Sequence, residues 1–421
     1  MQIKKIAVKN FKSFKTIDIN PGKFNVLIGP NAAGKSNFLS IFKFIRDIVN
    51  FGLSNAISLQ GGVEYLRNMR IGTKQNKTSF HIEVDNSSKL NGMKKIGDKI
   101  FCMRSLSFAT TFEIEYTNDA DEFHIASDSL IQHYELYEIT NGEDVSVGTV
   151  VLEMQHSGDK IITNFVNNTT CHITQDDILP TIFINVTDFS DNFAKTKTLF
   201  IENQCNVPHP ESVRKILGRL SIYDLDPTQS RSVSSIAGKM ELEENGENIA
   251  IVLRRILKNK EQTRQLFNYL NYVLPFIEDI EVEKFLDRHL QVKIKEKYTP
   301  GEFIPASLLS SGSIFLLSII IVLFFEDKKT VIFEEPGRRV HPHLISRIID
   351  MMKDASQRMQ IFLTTHNPEI VKYAGLDNIF YLTRDKEGFS TIAHLSTHEE
   401  IKEFMKNEIG IEELYIQNLL S

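Results

Sequence analysis

Residues Gly29 to Ser36 read Gly-Pro-Asn-Ala-Ala-Gly-Lys-Ser, which satisfies G-x-x-x-x-G-K-[ST] at every fixed position. The apolar run Phe24 to Ile28 precedes this stretch, and a run with helical spacing, Asn37 to Val49, follows it. Strand, tight loop and helix in that order are the context such a loop requires. Gly29 and Gly34 let the backbone curl until successive N–H groups face a phosphate, and the following helix adds the positive end of its dipole. Pro30, Asn31, Ala32 and Ala33 complete the turn, and Asn37 opens the helix beyond it. Lys35 is placed to reach β- and γ-phosphates, and Ser36 to offer its hydroxyl to Mg²⁺.

With 421 residues the chain can bury the cores of two or three domains. Its formal net charge of −6 gives no strongly basic global field to attract nucleic acid. Cys102, Cys171 and Cys205 stand far apart without C-x-x-C spacing, so neither a disulfide framework nor a zinc site is expected and a reducing compartment fits. The first residues alternate like a strand and lack an apolar signal core. The longest apolar run, Ile314 to Phe325, is 12 residues, too short to span a bilayer of about 30 Å as a helix. A buried helix is the better reading, and a soluble, cytoplasmic chain without a membrane partner is expected.

Met1 to Ile28 reads as three short strands, with turns at Asn10 and Asn20-Pro21-Gly22. Phe38, Ile41, Phe42, Phe44, Ile45 and Ile48 form a wide apolar stripe on the helix that follows. Thr78 to Val84, Phe101 to Tyr116, Glu122 to Ala126, His133 to Thr140, Thr149 to Gln155 and Lys160 to Asn164 read as strands of an antiparallel meander. Asn91-Gly92, Asn118-Asp119 and Asn141-Gly142 are its turn signals. Residues 188–300 read as mainly helical, with Ser212 to Leu220, Ile249 to Asn259 and Gln262 to Val273 the clearest helices. From Ser307 onward helix and strand alternate as in a parallel α/β sheet.

Three features of this last third bear on chemistry. Thr330 to Pro336 is a β-rich apolar strand ending in Glu334 and Glu335, either solvated acids or a pair beside the phosphate loop. In the second case Glu334 would bind Mg²⁺ and Glu335 would polarise the attacking water. Ser310-Ser311-Gly312-Ser313 opens the apolar helix, either as a phosphate-binding turn or as an ordinary N-cap by Ser313 or Ser311. Gln360 to His366 is a buried strand ending in a histidine that could reach a γ-phosphate or simply close the strand.

The order of these parts resembles ABC-type ATPases of the RecF/SMC-like group, and within it the stand-alone AAA family ATPases related to the ATPase half of overcoming-lysogenization-defect proteins. The stretches that carry the likeness are IKKIAVKNFKSF, LIGPNAAGKSNFL, LLSSGS, IFEEPGRRVHPHL and FLTTHNPEIV; NGENIAIVLRRI and IGIEELYIQNLLS echo it more weakly. The resemblance implies an α/β fold: an ABC-type P-loop core with a mixed sheet, an antiparallel β insertion and a helical insertion. It implies an N-terminal lobe at 1–77, a β segment at 78–187, a mainly helical insertion at 188–300, a C-terminal lobe at 301–395 and a helical tail at 396–421.

Residue by residue, the resemblance makes Gly29–Ser36 the Walker A loop and Ser310-Ser311-Gly312 the signature. Glu334 and Glu335 become the Walker B pair, His366 the switch histidine, Gln60 a Q-loop candidate near the metal, and His341-Pro342 part of a loop that meets a second subunit. ATP and Mg²⁺ are the implied cofactors, with hydrolysis in a homodimer or higher oligomer. Here the signature reads Ser-Ser-Gly-Ser, and Gly337-Arg338-Arg339-Val340 replaces the acidic or Asn-Gly segment more usual after the acids. Members of the family occur in anti-phage systems such as PARIS, Septu and Gabija. A sensor controlling a separate nuclease or toxin effector, triggered by DNA or a phage protein, is therefore implied; a RecF-like repair or chromosome-maintenance ATPase is the alternative. Only 55 residues follow His366 and they hold no Asp-x-Asp pair, so no Toprim nuclease is expected in this chain. Arg67, Arg70, Lys74 and Lys77, with Lys89, Lys94, Lys95 and Lys99 further on, are either a DNA-binding surface or solvated loops.

Overall fold

A computed structural model describes residues 2–71, 76–86, 91–117, 122–140, 142–157, 160–174, 177, 198–202, 213–214, 216–299, 301–338, 340–397, 410–417 and 420. Cys205, Lys74, Lys89, Arg339, Asn118-Asp119 and much of the 396–421 tail lie outside the described residues. The first half of the chain runs β1 (Gln2–Phe11), β2 (Phe14–Ile19), β3 (Phe24–Ile28), α1 (Lys35–Phe51), α2 (Leu53–Leu59), α3 (Val63–Leu66), β4 (Lys77–Asp85), β5 (Asn91–Ile96), β6 (Lys99–Tyr116), β7 (Phe123–Thr140), β8 (Glu143–Ser157) and β9 (Lys160–Thr169). The second runs β10 (Ser221–Tyr223), α4 (Pro227–Ser230), β11 (Ser234–Ser235), α5 (Ile249–Leu257), α6 (Lys260–Val273), β12 (Ile277–Phe285), β13 (His289–Glu296), β14 (Phe303–Pro305), α7 (Ser311–Phe325), β15 (Thr330–Glu334), α8 (Pro342–Ala355), β16 (Gln360–Thr365), α9 (Pro368–Ala374), β17 (Ile379–Arg384), β18 (Ser390–His394) and α10 (Ile411–Ile416).

These elements divide into two compact units, Met1–Gly22, Asn31–Leu220 and Leu382–Ile392 in the first, Lys23–Pro30, Ser221–Tyr381 and Ala393–Ser421 in the second. In the first unit β1 lies between β2 and β4, and β6, β7, β8 and β9 extend the antiparallel sheet beyond β4. Phe11, Phe44, Phe80 and Phe112 meet in its core, with ring centroids 5.4 Å apart for Phe11–Phe80, 5.3 Å for Phe44–Phe80 and 5.0 Å for Phe80–Phe112. The apolar stripe read from the sequence is the buried face of α1. The two strands expected at 122–126 and 133–140 are one, β7, because Ser127 to Gln132 between them continue the alternation into paired backbone. Asn91-Gly92 is likewise the start of β5 rather than a turn.

The second unit carries the parallel sheet β10-β15-β16-β3-β17. α7 is buried on all sides from Ile314 to Leu323, which is why its sequence is apolar all round. The 188–300 segment was expected to be mainly helical. It holds α5 and α6, but also β11, β12 and β13 of a separate antiparallel sheet, in which β13 lies between β11 and β12 and pairs with β14 just beyond the segment. Its signal is a period of two, Leu290, Val292 and Ile294 facing the core, sitting directly after strong helical patterns.

Two acids in the first unit are buried. Asp128 on β7 accepts the Phe200 N–H at 2.6 Å, and Glu202 accepts the Leu199 N–H at 2.7 Å. Burial pushes Asp128 up to about 8, with the nearby Glu202 adding to the rise, and pushes Glu202 up to about 7. Acids whose folded values are raised bind protons the unfolded chain has released. Their contribution to stability is therefore full below about pH 4 and is lost as pH rises towards 8. Asp128→Asn should flatten that decline. Thermal melts between about pH 5 and pH 9 should fall less steeply for the variant; parallel curves would mean that Asp128 is ionised in the folded protein.

Candidate functional site

In the second unit the register of three parallel strands sets the site. Thr365 pairs with Ile28 and Glu334 pairs with Thr364, so β3, β15 and β16 end at one edge. The residues just past that edge are Gly29, Glu335 and His366. An edge formed by the C-terminal ends of parallel strands is where α/β sheets bind ligands.

Glu335 takes a left-handed backbone, φ +49°, unusual for a residue with a side chain. Its N–H donates to the Thr364 carbonyl at 3.0 Å, holding it to β16. Its carboxylate accepts the His366 N–H at 3.1 Å and lies 3.6 Å from the His366 Nε2. One acid and one imidazole, both reachable by solvent, thus face a common point. Gly29 meets a residue the sequence did not single out. Tyr415 on α10 directs its hydroxyl at the Gly29 carbonyl, 3.4 Å away, and burial, reinforced by the Glu335 charge, pushes that phenol above its ordinary value.

Ser310 begins α7 as its N-cap. It accepts the Ser313 N–H at 3.1 Å, and its hydroxyl lies 2.7 Å from that of Ser313. The cap is therefore Ser310 rather than Ser311 or Ser313, because only the extended backbone before the helix lets a hydroxyl turn back onto its first amides. Arg231 steadies the turn by donating to the Leu309 carbonyl at 3.0 Å. His341 caps α8, its ring 2.8 Å from that of His343, and both rings are exposed.

The remainder of the glycine-rich loop, Asn31 to Ser36, belongs to the first unit. Lys35 is the first residue of α1 and is buried, whereas Ser36 is exposed. No side chain caps this helix and no acid occupies its first turn, so its positive end is uncompensated by its own sequence. Ala32 is left-handed at φ +62°, and Gly34 at φ +114° is a conformation only glycine adopts without strain. A Cβ at Gly34 would stand 2.3 Å from the Ser390 Oγ.

Beside this loop lies a cleft of about 640 Å³ in the same unit. Asn37 and the Q-loop candidate Gln60 line it, together with Ser13, Tyr65, Asn68 and the cations Lys12, Arg67, Arg70 and Arg384. Asn10 builds its wall: the buried side chain accepts the Asn68 N–H at 3.1 Å and donates to the Lys77 carbonyl at 2.9 Å. Burial, and then the neighbouring Lys43, pull the Lys12 ammonium below its ordinary value. Of the basic residues singled out from the sequence, Arg67 and Arg70 thus line a cleft. Lys77 is paired with Glu113 and Glu115, and Lys99 with Glu138. Among the described residues no cluster of three metal-ligating side chains occurs, and no helix is long and apolar enough to cross a membrane.

A family model described as "AAA domain, putative AbiEii toxin, Type IV TA system" matches residues 24–92 and 179–372. The unmatched stretch between them covers the outer strands of the antiparallel sheet. Endonuclease GajA of Bacillus cereus is 24% identical over 381 residues, which are 88% of this chain and 56% of that protein. The chain thus spans little more than half the length of that relative. The chromosome partition protein Smc of Methanocaldococcus jannaschii is 29% identical over 105 residues, 23% of this chain and 9% of that one. Among solved structures, an SMC head bound to the C-terminal winged-helix domain of ScpA superposes with a TM-score of 0.51 at 14% identity, covering 96% of this chain and all of that one. The fold is therefore that of an SMC-type ATPase head.

Gly34→Ala should distort the loop without unfolding the protein, since the strain and the clash with Ser390 are confined to one turn. Affinity for Mg²⁺–ATP, read by calorimetry, should drop by at least about tenfold while secondary structure by circular dichroism is unchanged. Unaltered affinity would show that the turn is not shaped for an anion.

Proposed function

The chain belongs to this AAA-domain family of ATPases, and from that premise we propose that it binds and hydrolyses ATP with Mg²⁺ as a nucleotide-dependent dimer switch. The observation that carries the reading is the register that ends β3, β15 and β16 together and leaves Gly29, Glu335 and His366 at one sheet edge. Backbone N–H groups from Asn31 to Ser36 and the Lys35 ammonium take the phosphates, and the cleft of Lys12 and Arg67 suits the remainder of an anionic nucleotide. Ser36 and Glu334, both hard oxygen donors, are the residues that would hold Mg²⁺, which neutralises phosphate charge when bound. Glu335 takes a proton from water as the water oxygen bonds to the γ-phosphorus and the β–γ bridging oxygen leaves with ADP. His366, held against Glu335, steadies that carboxylate and reaches towards the transferred phosphoryl group.

Ser310 to Gly312 open α7, with Ser310 exposed and Ser311 and Gly312 half-buried, which suits capture of a γ-phosphate bound by a second copy. The relationship to Endonuclease GajA supports a role in anti-phage defence: a sensor that answers DNA or a phage protein and controls a separate nuclease or toxin. The match to Smc favours the second reading, a RecF-like repair or chromosome-maintenance ATPase. A nuclease or toxin that co-purifies with the chain and becomes active when turnover is triggered would favour the first; turnover stimulated by DNA with no such partner would favour the second.

Lys35→Ala should abolish tight ATP binding, and turnover at the wild-type rate would remove the P-loop assignment. Glu335→Gln should still bind ATP but hydrolyse it about 10²–10⁴-fold more slowly, since glutamine keeps the shape but cannot take the proton. Ser310→Arg should lower turnover while leaving ATP affinity intact, and mixing it with Lys35→Ala should restore part of the activity by rebuilding one composite site. A fully active monomer at high dilution would refute the dimer.

A further inference from the structure

The turn of the phosphate loop is gripped from behind by side chains more than 350 positions along the chain. Ser390 on β18 is fully buried, and its hydroxyl lies 2.6 Å from the Ala33 carbonyl and 2.8 Å from the Ser13 hydroxyl. A carbonyl only accepts, so the single Ser390 proton goes to Ala33, and the Ser13 proton completes the chain by going to Ser390. The Ser390 N–H also donates to the Ser13 carbonyl, at 2.8 Å, fixing the serine against the β1–β2 turn. One residue earlier in the loop, the Arg384 Nε donates to the Ala32 carbonyl at 2.9 Å, while its Nη1 donates to Gly388 at 2.8 Å. That second bond holds the guanidinium in place although it is exposed.

In a trans peptide the C=O and the following N–H point in opposite directions. Drawing the Ala32 and Ala33 carbonyls outward therefore turns the N–H groups of Ala33 and Gly34 the other way. Without such a grip Ala32 would tend to relax from its positive φ, which a residue with a Cβ keeps only where contacts enforce it, and Gly34 has no Cβ to hold its own conformation. We propose that Ser390 and Arg384 are positioning residues for nucleotide binding: they hold the loop's carbonyls back so that its N–H groups are presented to phosphate before the ligand arrives. This rests on the nucleotide reading above. It gives the β17–β18 hairpin a role that neither its sequence nor its distance along the chain from the loop discloses.

The test compares Ser390→Ala, Arg384→Met and Arg384→Lys with the wild type and with Lys35→Ala, in the full chain. Three readouts are taken: the melting temperature without ligand, the rise in it on adding Mg²⁺–ATP, and the KM and kcat for ATP. Ser390→Ala and Arg384→Met should raise KM about tenfold and shrink the ATP-induced rise, with kcat within about threefold of wild type and the ligand-free melt moved by no more than about 2 °C. Arg384→Lys, which can still donate to Ala32, should recover most of the lost affinity. Wild-type KM in both Ser390→Ala and Arg384→Met, with binding lost in Lys35→Ala, would overturn the proposal alone. A ligand-free melt lowered equally by Met and Lys at position 384, with KM rising in step, would overturn it in favour of a structural role. Wild-type ATP binding by Lys35→Ala would instead count against the nucleotide reading itself.

Discussion

A phosphate can be held by backbone amides only if several consecutive N–H groups turn to the same side, and a polypeptide does not hold that shape unaided. Much of the structure around Asn31 to Ser36 answers this constraint. Ala32 and Gly34 adopt positive φ, Ser390 and Arg384 draw carbonyls outward, and Tyr415 meets the carbonyl of Gly29. Positive charge then has somewhere to act: the first turn of α1 carries Lys35 and no acid to compete with an incoming anion.

The acid at the sheet edge obeys a related logic. Glu335 follows a strand whose residues up to Phe333 are buried, yet its own carboxylate must remain reachable by water. The left-handed backbone turns the chain sharply after Glu334, and the hydrogen bond to Thr364 keeps the turn from relaxing. Strain of this kind costs about 1–3 kcal/mol and persists only where neighbouring contacts enforce it. Here the contacts are the β16 backbone and the His366 amide, so acid, imidazole and strand end form one rigid group.

Stability and chemistry are separated in the chain. Burial raises Asp128 and Glu202, which accept the Phe200 and Leu199 N–H groups and so fasten the backbone of residues 199–202. The acids assigned to chemistry, Glu334 and Glu335, are only partly buried.

The sequence by itself determined the parts that depend on local spacing. The glycine-rich loop between a strand and a helix, the apolar stripe of α1, the buried α7 and the strands that stop just before Glu335 and His366 are all legible, because their signals lie within a dozen consecutive residues. The likeness to the RecF/SMC-like ATPases could be read from the same stretches and their order. Only the tertiary structure decided which distant residues serve the loop. Ser13, Arg384, Ser390 and Tyr415 are ordinary residues in a turn, a strand end, a short strand and a six-residue helix, and nothing in their own neighbourhoods marks them. The extra sheet of β11 to β14 is also a product of the tertiary structure, since a period of two over a few residues is outweighed by the helices just before it. Spacing along the chain records which face a residue occupies. Which partner that face meets is fixed by strand pairing between segments hundreds of residues apart, such as β3 with β16, and pairing of that range leaves no local trace.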